Sequence, residues 1–79
     1  MTMDHGWREV ILEKFAVGTS WRCSALGKSS RSDIIHIRGI VDDQIAYRWW
    51  RYHQRCWQYE FVTAFELWYF DRDGSITKA

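Results

Sequence analysis

Asp33-Ile34-Ile35-His36-Ile37-Arg38-Gly39-Ile40-Val41-Asp42-Asp43-Gln44-Ile45-Ala46-Tyr47-Arg48-Trp49-Trp50-Arg51-Tyr52 is the stretch that decides the fold. It places two runs rich in β-branched and aromatic residues on either side of an acidic break, the pattern of two strands joined by a turn. The length of that turn sets which residues share a face, because cross-strand partners in a hairpin point the same way. A two-residue Asp42-Asp43 turn sets Ile37 against Arg48 and Arg38 against Tyr47, mixing apolar and charged residues on both faces. A three-residue loop, Asp42 to Gln44, pairs Val41 with Ile45, Gly39 with Tyr47, Ile37 with Trp49 and Ile35 with Arg51, and belongs to a known hairpin class. The three-residue loop is therefore expected. It sends Ile35, Ile37, Val41, Ile45, Tyr47 and Trp49 inward and leaves His36, Arg38, Arg48, Trp50 and Tyr52 on the other face.

Downstream, His53-Gln54-Arg55-Cys56 reads as the next turn, and Trp57-Gln58-Tyr59-Glu60-Phe61-Val62 alternates as a strand with Trp57, Tyr59 and Phe61 toward the core. Thr63-Ala64-Phe65-Glu66 fits the Ser/Thr-x-x-Glu/Gln capping box and predicts one helical turn. Leu67-Trp68-Tyr69-Phe70 then reads as the final strand, and residues 71–79 as a frayed tail. Upstream, residues 4–15 place Trp7, Val10, Ile11, Lys14 and Phe15 at helical spacing. Gly18 ends that helix. Thr19 to Leu26 alternates as a strand with Trp21, Cys23 and Ala25 on one side, and Gly27 to Ser32 is a polar, basic loop. The whole is one domain, 1–79, of mainly β class, with a helix over 4–15 and about five antiparallel strands within 17–70.

At 79 residues the chain lies where burial of apolar surface only narrowly exceeds the entropy of ordering. Six Trp, four Tyr and four Phe allow a sizeable core from few residues. Eleven Lys and Arg against ten Asp and Glu exclude both a histone-like basic protein and a globally acidic nucleic-acid mimic. Electrostatic function must come from local asymmetry. Arg22, Lys28, Arg31, Arg38, Arg48, Arg51 and Arg55 fall in a region whose only acids are Asp33, Asp42 and Asp43, while the other carboxylates gather at the two ends. The polar first ten residues predict no signal peptide, and no apolar run approaches the ~20 residues of a membrane helix. A cytoplasmic protein with Cys23 and Cys56 reduced is expected.

The order Gly18-Thr19-Ser20-Trp21-Arg22, a basic loop, Ile35-His36-Ile37-Arg38-Gly39-Ile40, an acidic turn, Ile45-Ala46-Tyr47-Arg48-Trp49-Trp50 and a closing Phe65 to Phe70 resembles small phage and prophage proteins with an SH3-like barrel. The resemblance covers roughly positions 17 to 70. It implies a small SH3-like antiparallel barrel and a mobile-element origin in a bacterial host, and no activity.

Three arginines and six aromatic residues crowd positions 47–59 without a carboxylate. Such a segment can grip single-stranded nucleic acid by stacking and phosphate neutralisation, or form the core of a protein interface. The bland alternative is that alternate residues fill the core and the arginines solvate the outside. The residues expected to bind a partner are Arg48, Trp50, Arg51, His36, Arg38, Tyr52 and Arg55, with Lys28 and Arg31 from the basic loop. His53 and Cys56 have the residue types of a zinc or thiol site, with Cys23 and His36 as further candidates. Arg55 would oppose a cation, no second close pair exists, and nothing supplies an oxyanion hole. No catalytic residue, metal or cofactor is expected, and Cys56 reads as a buried or semi-buried thiol. The expected function is a non-enzymatic binding module, a monomer or small homo-oligomer without a membrane partner. It would block a host protein complex, such as one that handles nucleic acid, in the manner of an anti-CRISPR inhibitor of bacterial defence. The alternatives are direct nucleic-acid binding and a structural or dimerisation role.

Overall fold

The computed structural model describes residues 4–24 and 34–79. Ala25, Lys28 and Arg31 lie outside the described residues. The acidic break between the two central strands is a two-residue turn, with Val41 opposite Gln44 and Ile40 opposite Ile45. Asp42 adopts a left-handed φ of 56°, which Asp tolerates better than most residues. The three-residue loop is thereby corrected. The apolar and charged residues are nevertheless sorted, because the register shifts between Ile37 and Gly39 and leaves Arg38 as a bulged extra residue. Ile37 then faces Tyr47 and His36 faces Arg48. One bulge after an even turn gives the same alternation beyond the bulge as an odd loop without one. Val41 lies between bulge and turn, so it is not rescued: expected inward, it is 63% exposed.

The elements follow the order α1 (Asp4–Lys14), β1 (Ser20–Cys23), β2 (Ile34–Val41), β3 (Gln44–Arg51), β4 (Cys56–Thr63), α2 (Ala64–Asp73) and β5 (Ile76–Lys78). All pairings are antiparallel and form one five-stranded sheet in the order β4-β3-β2-β1-β5. The mainly β class, with five antiparallel strands, an N-terminal helix and a helix before the last strand, is as the sequence pattern predicts.

The C-terminal third differs from expectation in two respects. Thr63 accepts a hydrogen bond from the Glu66 amide while the Glu66 carboxylate accepts one from the Thr63 amide, so the capping box forms. The helix it opens does not stop after one turn. It runs ten residues to Asp73, through the segment expected as the final strand, and closes on Gly74 at φ 81°. Ala64 and Leu67, three apart, are its buried residues, which is helical rather than alternating spacing. The last strand lies beyond it. Ile76 is buried opposite Cys23, and β5 hydrogen-bonds along β1, so the tail is part of the sheet rather than frayed.

One face of the sheet carries the core. Trp21 and Cys23 from β1, Ile35 and Ile37 from β2, Ile45, Tyr47 and Trp49 from β3, and Val62 from β4 pack with Ile11 and Phe15 of α1, Ala64 and Leu67 of α2, and Ile76 of β5. Trp7 joins the two helices, its ring 5.6 Å from Trp68 and 6.1 Å from Phe65. Two surface ion pairs tie the helices down: Lys14 to Asp71 at 2.9 Å, and Arg8 to Asp43 in the β2–β3 turn at 2.6 Å. Both are solvent-exposed, so they orient the helices more than they stabilise them. With α1 and α2 on the inner face, no described helix covers the opposite face of β2, β3 and β4.

Candidate binding face

The register of β3 and β4 decides what that second face displays. Arg51 pairs with Cys56 across the four-residue turn 52–55, so Trp50 faces Trp57, Arg48 faces Tyr59 and Ala46 faces Phe61. Ile45, Tyr47 and Trp49 are buried inward, and therefore Trp57, Tyr59 and Phe61 point outward with Arg48 and Trp50. This corrects their expected place in the core. Trp57 is 36% exposed, Tyr59 56% and Phe61 64%, against 5% for Trp49. An aromatic-rich alternation signals a strand with one apolar face. Which face is buried is set by cross-strand parity, and the even turn puts the aromatic row of β4 on the open side.

Trp57 is the centre of the face. The Arg48 guanidinium lies 3.9 Å from the centre of its ring, the Trp50 ring meets it edge-on at 5.0 Å, and the His36 ring does the same at 5.5 Å. Arg48 also donates to the Tyr59 hydroxyl at 3.1 Å. Its Nε is enclosed without a hydrogen-bond partner, a desolvation cost that the stack on Trp57 has to offset. His36 Nδ1 and the Ser20 hydroxyl are 2.7 Å apart, which fixes the ring from the β1 side. Burial, then the Arg48 and Arg38 charges, hold the His36 imidazole below its ordinary range, so it is neutral at pH 7. No outward position of β2, β3 or β4 carries a carboxylate.

The predicted binding residues divide. His36, Arg48 and Trp50 meet on this face, and Arg38 sits exposed at the bulge beside it. Tyr52 and Arg55 are exposed in the β3–β4 turn at its end, Arg55 with a left-handed φ of 54°. Arg51 belongs to the opposite face, where it donates to the Gln58 side chain at 3.0 Å and lies 5.8 Å from the Trp49 ring. Lys28 and Arg31 lie outside the described residues.

On the inner side of β4, the Tyr47 hydroxyl donates to the Glu60 carboxylate at 2.8 Å. Burial, and then that hydrogen bond, raise the Tyr47 hydroxyl well above the ordinary tyrosine range, so it remains a donor. Cys23 is buried and Cys56 exposed, with no disulfide between them, so Cys56 is not the buried or semi-buried residue expected. Among the described residues no three His, Cys, Asp or Glu side chains gather as a metal set, and no helix is long and apolar enough to cross a membrane. Comparison of the chain with protein-family models, with curated proteins and with solved structures found no match in any of the three.

Proposed function

We propose that the chain is a non-enzymatic binding module that docks the outer face of β2, β3 and β4 on a host protein complex and blocks it. The observation that carries this reading is the composition of the face: Trp50, Trp57, Tyr59, Phe61 and Arg48 side by side, with no outward carboxylate or lysine. Aromatic residues and Arg are enriched in the cores of protein interfaces, and Lys, Asp and Glu are depleted there. The choice of a bacterial defence complex as target, and of the bacterial cytoplasm as its place of action, rests on the resemblance to phage proteins with SH3-like barrels. The test is phage plating on a bacterium with active CRISPR immunity. The wild-type chain should restore plaques, and the doubly substituted Trp57→Ala/Tyr59→Ala chain, folded by circular dichroism, should not. Unchanged immunity, together with no defence complex retained by the immobilised chain, overturns the reading.

A second reading is favoured by the spacing of the row. Alternate strand residues recur at about 7 Å, so Trp57, Tyr59 and Phe61 place successive aromatic rings along the outer face beside Arg48, a spacing suited to single-stranded bases. That reading expects tryptophan fluorescence to be quenched by oligonucleotides, with affinity falling steeply as salt rises. A flat titration at low salt eliminates it.

A further inference from the structure

β4 is a sheet edge without the features that keep edges unpaired. It runs eight residues, pairs with β3 residue for residue without a bulge, and contains neither Lys nor Pro. Short length, bulges, Lys and Pro are the usual means of blunting an edge, and the opposite edge, β5, is only three residues long. An inward-pointing charge is a further guard, but the one charged side chain of β4, Glu60, is engaged by the Tyr47 hydroxyl.

The ladder shows which backbone groups face out of this edge. The Ala64 N–H donates to the Asp43 carbonyl at 2.9 Å, one pair beyond Gln44 and Thr63. Antiparallel ladders alternate between hydrogen-bonded and non-hydrogen-bonded pairs, so the even-numbered residues of β4 bond to β3. The N–H and C=O groups of Trp57, Tyr59 and Phe61 therefore point away from the sheet. No described strand pairs with them.

We propose that this edge pairs with β4 of a second copy, antiparallel, about a two-fold axis through opposed Tyr59 residues. In that register Trp57 of each copy falls opposite Phe61 of the other. Each of these facing pairs exchanges two N–H···O=C bonds, and every outward pair is aromatic against aromatic. On the inner side Gln58 falls opposite Glu60 of the second copy, an amide donor against a carboxylate. Neighbouring registers are worse. One step toward the C-terminus opposes Glu60 with Glu60, and one step the other way sets Phe61 against Arg55 in the turn. A slip of a single residue sets outward rings against inward side chains. The self-complementary register is isologous, as a closed two-fold dimer requires, and it doubles the sheet and its aromatic face. This pairing uses the edge of β4, not its face, and stands apart from the choice of partner made above.

Light scattering behind size exclusion tests it. The wild-type chain should show about twice 9.6 kDa. Tyr59→Pro removes an N–H that β3 does not use and inserts a ring into the dimer edge, so it should run as a folded monomer. A second measurement does not depend on how that variant folds. In a Cys56→Ser background, Tyr59→Cys brings two thiols together at a hydrogen-bonded pair with Cα atoms about 5.5 Å apart, inside the range of a disulfide. It should cross-link on mild oxidation, whereas Phe61→Cys in the same background should not. A wild-type monomer at every concentration, a dimer that survives Tyr59→Pro, or equal cross-linking at 59 and 61 overturns the proposal.

Discussion

Arg48 and Trp57 meet on the diagonal of the β3–β4 ladder, guanidinium over indole at 3.9 Å, while the same guanidinium reaches the Tyr59 hydroxyl at 3.1 Å. One side chain thus fixes two aromatic residues of the neighbouring strand on the open face. The contact depends on a planar cation that stacks and donates at once, which an ammonium cannot reproduce.

Arg48→Ala should therefore loosen the face without unfolding the sheet. The expected loss is about 1 kcal/mol, the scale of a partly exposed cation–π contact with its hydrogen bond. Urea denaturation measures the loss, and near-ultraviolet circular dichroism reports the freed Trp57 and Trp50 rings. Arg48→Lys should recover less than half of it. Equal stability of wild type, Lys and Ala variants would show that the stack contributes nothing.

His36 gives the face a pH dependence whose sign follows from its environment. Burial, and then the charges of Arg48 and Arg38, hold its folded pKa below the ordinary histidine value of 6.5. Between the folded and unfolded values the unfolded chain holds the extra proton, so stability rises with pH across that interval. The contribution is complete above about pH 6.5 and is lost as pH falls through the folded value. His36→Gln should flatten this part of the stability profile, below about pH 6.5. Nuclear magnetic resonance titration of the ring should place its midpoint below 6.5. A midpoint above that value would contradict the packing described.

How far the sequence discloses this molecule depends on which signal each residue carries. Strands β2 and β3 are legible because Ile35, Ile37, Ile45, Tyr47 and Trp49 alternate with polar residues and are buried. Their register is not, because the bulge at Arg38 is a backbone event whose one sequence mark, Gly39 inside the strand, serves equally for a close backbone approach. Trp57, Tyr59 and Phe61 show the limit of hydrophobic alternation. It identifies β4, but which side is buried comes from parity through the turn 52–55, whose even length places Trp57 beside Trp50. Leu67 to Phe70 is a run of large apolar residues that suits a strand or a helix equally. The capping box tips it to helix, and Leu67 is the only one of the four fully buried.

Ile76 tests the corrected C-terminus. It is buried opposite Cys23 as the first residue of β5, so Ile76→Ala should cost about 2–4 kcal/mol, as for other buried aliphatic truncations. The adjacent exposed Thr77→Ala should change stability by less than about 0.5 kcal/mol. Thermal denaturation of the two variants side by side separates an integral strand from a tail, in which neither change would be felt.

Arg55 offers the opposite outcome, a gain. Its φ of 54° is left-handed, a conformation that costs an L-residue with a Cβ roughly 1–2 kcal/mol. Glycine adopts it freely but loses more entropy on folding, which returns about half of that benefit. Arg55→Gly should therefore stabilise the chain by about 0.5–1 kcal/mol, seen as a rise of several degrees in Tm for a domain of this size. Arg55→Val, branched at Cβ, should destabilise it. The side chain is exposed in the turn, so lost packing cannot account for a difference between the two variants. If both shift Tm in the same direction, the turn is not held in the left-handed geometry, and the register that places Trp57 on the outer face loses its anchor.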